Sequence, residues 1–89
     1  MVYSIHVKVK PKSEALRTYL LQKDFKIYGQ SYLGDFLPIN EDDTNDSKKW
    51  SSYKCIRSGK LKPSQDLVQR LDEELMQGGI LEYNILATK

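Results

Sequence analysis

The chain has 89 residues, 39% of them hydrophobic and 10% aromatic, which suffices for one modest core and excludes both a disordered chain and two helical layers around a sheet. No apolar run approaches the ~20 residues of a membrane helix, and the N-terminus alternates where a signal peptide has a continuous apolar stretch, so a cytoplasmic protein is expected. The net charge of +2 is unevenly spread: Asp35, Glu41, Asp42, Asp43 and Asp46 fall in a window without Lys or Arg, so a basic body carries one acidic segment.

In chain order, Tyr3, Ile5, Val7 and Val9 alternate with Ser4, His6, Lys8 and Lys10, the pattern of a half-buried strand with a basic outer face. Pro11 ends it. Ser13 can cap a helix over about Glu14 to Lys23, with Leu16, Tyr19 and Leu20 as its apolar stripe. A second strand follows from Phe25 to Leu33, with Phe25, Ile27 and Leu33 on one parity and Lys26, Tyr28, Gln30 and Tyr32 on the other; Gly29 is a candidate bulge. Phe36, Leu37 and Ile39 are too apolar for an ordinary loop and are read as continuing this strand after a kink at Gly34. The segment from Asn40 to Ser47 is turn chemistry throughout. A third strand spans Trp50 to Ser58, with Tyr53 and Cys55 inward and Trp50, Ser52 and Lys54 outward.

The strongest local signals lie near the C-terminus. Ser64, after Pro63, is an N-cap, and Leu67, Val68, Leu71 and Leu75 make one apolar stripe on a helix from about Gln65 to Gln77, where Asp66 and Arg70 are spaced to pair. Gly78 and Gly79 stop that helix, and Ile80 to Leu86 then alternates as a strand, with Leu81, Tyr83 and Ile85 inward and Glu82 and Asn84 outward.

The order strand, helix, strand, strand, helix, strand predicts a single α+β domain over residues 1–89. It is a small two-layer sandwich of the ferredoxin-like βαββαβ type, with an antiparallel sheet and two helices on one face. The competing layout is a long middle hairpin from about Phe25 to Ser58 reaching beyond the sheet. In either, an acidic loop or hairpin tip occupies about 34–49.

Such an architecture hosts many activities, so function has to be sought on the surface. One candidate is a protein-binding patch: Asp35, Phe36, Leu37, Ile39, Glu41, Asp42, Asp43, Asp46 and Trp50 combine apolar groups with a charged rim, as contact surfaces do. The other is single-stranded nucleic acid. His6, Lys8, Lys10, Lys26, Tyr28, Tyr32 and Lys54 share the helix-free face of the predicted sheet, where aromatic rings stack on bases and lysines meet phosphates. The RNA-recognition-motif signature is absent, since Trp50 to Arg57 lacks the required glycine and paired aromatics.

The acidic segment also invites a metal, with Asp42, Thr44 and Asp46 at alternate positions. A calcium loop wants Gly at its sixth position and Glu at its twelfth, where this chain has Ser47 and Tyr53. His6 and Cys55 are the only residues of their kinds, so neither a zinc site nor any other cofactor is expected. The strand parities put them on opposite faces, which argues against a nucleophile-base pair. The sequence is therefore read as a non-enzymatic regulatory module that binds a protein partner stoichiometrically, with single-stranded nucleic acid as the alternative. A free sheet edge also permits a homodimer.

Overall fold

A computed structural model describes residues 1–11, 14–39 and 50–89. The elements are β1 (Val2–Val9), α1 (Glu14–Gln22), β2 (Lys26–Gln30), β3 (Phe36–Pro38), β4 (Ser52–Gly59), α2 (Gln65–Gln77) and β5 (Ile80–Thr88). The strands form one antiparallel sheet in the order β3-β2-β4-β1-β5. Among the described residues no helix is long and apolar enough to cross a membrane.

The sheet has one strand more than expected. The chain does not run on after Gly34 but reverses: the Ser31 N–H donates to the Asp35 carbonyl at 2.8 Å and the Gly34 N–H to the Ser31 carbonyl at 2.9 Å, with Gly34 at φ 99°. A left-handed residue closes this turn, and glycine takes that conformation without strain. Phe36, Leu37 and Pro38 then pair back onto Gln30, Gly29 and Tyr28, so β3 becomes an edge strand.

Both helix ends obey the same geometry with different residues. At α2 the Ser64 hydroxyl accepts from the Leu67 N–H at 3.2 Å. Its C-terminus closes on Gly78, φ 86°, with Gly78 N–H donating to Leu75 O and Gly79 N–H to Glu74 O. The end of α1 repeats this bonding at Asp24, φ 67°: Asp24 N–H donates to Leu21 O and Phe25 N–H to Leu20 O. Arg70 pairs with Glu74 at 2.9 Å rather than with Asp66, and its guanidinium lies 4.8 Å from the Tyr19 ring centroid.

Leu16 and Leu20 of α1 and Leu67 and Leu71 of α2 enter one buried cluster with Ile5, Val7, Val9, Phe25, Ile27, Tyr53, Cys55 and Ile80. The helices therefore cover the sheet face that carries the odd-numbered residues of β1, β2 and β4. On β5 the alternation breaks. Lys8 faces Glu82 but Val9 faces Ile80, so Leu81 is the extra residue of a β-bulge and is exposed, not inward as the alternation predicts. Gly29, by contrast, marks no bulge, since β2 is in continuous register with both neighbours. A Cβ there would sit well inside contact distance of the Trp50 ring and 2.7 Å from Ile39 Cδ1. Glycine is needed because these two side chains lie directly on the strand.

Candidate functional site

The even-numbered residues of β1, β2 and β4 point away from the helices. Strand register turns them into two rows. Pro38, Tyr28, Lys54, Lys8 and Glu82 are successive partners across all five strands, and Lys26, Ile56, His6 and Asn84 form the next row across four. Phe36 sits beside the first row, with Lys54 Nζ 5.4 Å from its ring centroid. A recess of about 140 Å³ opens between His6, Lys8, Phe36, Lys54, Glu82 and Asn84. A second, of about 270 Å³, lies beside Lys26, Tyr28 and Ile56. Ser52 supports the floor, its hydroxyl donating to Gln30 Oε1 at 2.9 Å.

The charge arrangement sets two lysines against each other. Lys8 and Lys54 are direct cross-strand partners, and like charges so placed repel. Glu82 flanks Lys8 on the far side, and in these two rows it is one carboxylate against three lysines. Such a face attracts an anion, and its rings, Tyr28 and Phe36, lie next to the cations.

Five of the residues expected on a nucleic-acid face are thus brought together: His6, Lys8, Lys26, Tyr28 and Lys54. Two are not. Lys10 reaches the C-terminal end of α2, with Nζ 3.4 Å from where a Cβ on Gly78 would lie, a position where a cation meets the negative helix end. Tyr32 is in the β2–β3 turn and 74% exposed, because the strand stops at Gln30.

The described members of the protein-binding set are dispersed. Ile39 is buried in the core, and Trp50 packs half-buried against that core and does not face outward as its parity predicts. Trp50 precedes β4 and is free of its alternation. Phe36 and Leu37 are exposed but on opposite faces of β3, and Asp35 lies in the turn, its N–H donating to the Ser31 hydroxyl at 3.3 Å. Glu41, Asp42, Asp43 and Asp46, with the metal pattern around Thr44 and Ser47, lie outside the described residues. Among the described residues no three His, Cys, Asp or Glu side chains are grouped to hold a metal.

Val7, not His6, is the register partner of Cys55, which puts imidazole and thiol on opposite faces. Burial pushes the Cys55 thiol up to about 12, a rise the nearby Arg17 charge only partly offsets, so the thiol is a poor nucleophile at neutral pH. Arg17 is a buried cation that the sequence patterns above do not single out. It is 1% exposed, its guanidinium 4.0 Å from the Tyr53 ring centroid and its Nη1 donating to the Pro11 carbonyl at 2.8 Å. Its position between Leu16 and Leu20 on the apolar side of α1 is the signal that could have found it.

Comparison with models of known protein families, with curated proteins and with solved structures finds no match. Function has to be inferred from the surface chemistry.

Proposed function

We propose that the chain is a non-enzymatic module that binds single-stranded nucleic acid on the helix-free face of its sheet. On this reading the fold is a ferredoxin-like split unit, β1-α1-β2-β4-α2-β5, to which β3 has been added at one edge. The observation that carries the reading is the register itself. It aligns Tyr28, Lys54 and Lys8 in one row beside Phe36, with the two lysines facing each other. A phosphate between Lys8 and Lys54 relieves their repulsion, and a base stacked on Tyr28 or Phe36 uses a ring already partly exposed to solvent. Sequence alone favours a protein partner. Ile39 is buried and Trp50 half-buried, which leaves less exposed apolar surface to support that preference, and our reading goes to the sheet face.

Fluorescence anisotropy with a labelled single-stranded oligonucleotide tests this. Removing one lysine–phosphate pairing lowers the slope of log K against log salt by about 0.7, so Lys8→Ala, Lys26→Ala and Lys54→Ala together should lower it by about 2. Tyr28→Ala should weaken binding by about 1–3 kcal/mol with the slope unchanged. Salt-insensitive binding, or none, removes the reading.

A second reading keeps the protein partner, of the inhibitor or adaptor type. It is favoured by the β2–β3 hairpin, where Tyr32, Leu33, Phe36 and Leu37 are all exposed next to Asp35. Changing Leu33 and Leu37 to Ser should abolish capture of such a partner from nuclease-treated lysate while leaving oligonucleotide binding intact. Capture that survives both changes excludes the hairpin.

A further inference from the structure

The two edges of the sheet differ in kind. β3 is three residues long and ends in Pro38, which lacks an N–H; both features discourage another strand from pairing there. β5 is nine residues long, Ile80–Thr88, and has neither device. Past the bulge at Leu81 it runs Glu82, Tyr83, Asn84, Ile85, Leu86, Ala87, Thr88, with one charge and no Gly or Pro. Among the described residues no strand pairs with its outer side, so its outward backbone groups form an open template. The side chains flanking that edge are apolar as well. Leu81 is 48% and Leu86 56% exposed. Asp72 lies over β5, where Tyr83 donates a hydrogen bond to its carboxylate, and Leu75 and Met76, three and four residues on along α2, share that side and are exposed.

We infer that β5 is a homodimer interface, pairing antiparallel with β5 of a second copy about a two-fold axis through Asn84 to make a continuous ten-stranded sheet. A two-fold centred on the strand's middle residue sets Asn84 against its own copy. An amide offers both a donor and an acceptor to an identical amide, so this contact is self-complementary. The same register sets Tyr83 against Ile85 and Glu82 against Leu86, so no like charges meet directly. A second copy is favoured over an unrelated strand because the residue on the axis complements itself and the edge's single charge, Glu82, meets no like charge. Closure about a two-fold uses β5 on both sides and needs nothing from the blocked β3 edge, so assembly stops at two. Leu75, Met76, Leu81 and Leu86 add exposed apolar side chains to the contact beyond the backbone. This pairing does not depend on what the rows of lysines bind.

The test is size-exclusion chromatography with light scattering on the full chain and on two variants, Asn84→Lys and Asn84→Asp, with circular dichroism to verify folding. The unmodified chain should elute at twice its 10.3 kDa mass. Each variant alone brings like charges together at the axis and should dissociate, its dimer dissociation constant rising at least tenfold. Mixing the two variants should restore the dimer. A third variant, Leu86→Lys, checks the register away from the axis and should also weaken the dimer. A monomeric unmodified chain, dimers unaffected by the Asn84 changes, or a mixture that fails to reassociate overturns the inference.

Discussion

Asp24 shows how one residue carries a local conflict. Its left-handed backbone is what the closing turn of α1 requires, yet an L side chain in that conformation is strained by roughly 1–2 kcal/mol. Asp24→Gly should therefore raise stability by about 0.5–1 kcal/mol after the added flexibility of the unfolded chain is deducted, as read from urea unfolding. At the alkaline end of the pH scale, two groups act together. Burial raises the Cys55 thiol from 9.0 to about 12, and the hydrogen bond to Asp72, with lesser help from desolvation and the carboxylate's charge, raises Tyr83 above 10.0. Both hold their protons more tightly in the folded than in the unfolded chain. Their contribution is complete below the unfolded values and is lost as pH climbs from about 9 toward the folded ones. Stability should fall as pH climbs from about 9 toward 12, and Cys55→Ala with Tyr83→Phe should flatten that fall whatever it does to stability at about pH 8. A fall of equal steepness in the double variant contradicts the assignment.

Among the elements, α2 and β1 are legible from sequence because their signals are local: a capping serine, two closing glycines, and alternation undisturbed by neighbours. The middle of the chain is not. Whether Phe36 continues β2 or folds back is decided by one glycine torsion and by the pairing partner it finds, and neither has a periodicity. The Leu81 bulge likewise depends on β1, whose register shifts between Lys8 and Val9. A glycine within a strand, such as Gly29, signals either a bulge or a close approach, and only the packing of Trp50 and Ile39 selects close approach. Gly29→Ala should destabilise the fold by about 1–3 kcal/mol through overpacking. Chemical denaturation measures this, and a neutral outcome means that Trp50 moves aside freely.

Across the full sheet, the outer face is readable in outline from strand parity, which places His6, Lys8, Lys26, Tyr28 and Lys54 together. Register is not readable. That Lys8 faces Lys54, and that Phe36 joins them from an added strand, follows from pairings over 40 residues apart in the first case and from the β2–β3 reversal in the second. Lys10 and Tyr32 depart from the expected face for a related reason, since each lies just past the end of a strand whose alternation no longer governs it. Whether this outer face is the binding surface can be read directly from a nuclear magnetic resonance titration with a single-stranded oligonucleotide, following backbone amides. Binding there predicts shifts concentrated at Lys8, Tyr28, Phe36, Lys54 and their row neighbours, with α1 and α2 still. Shifts confined to the helices or to the β2–β3 turn, or none at all, would contradict it.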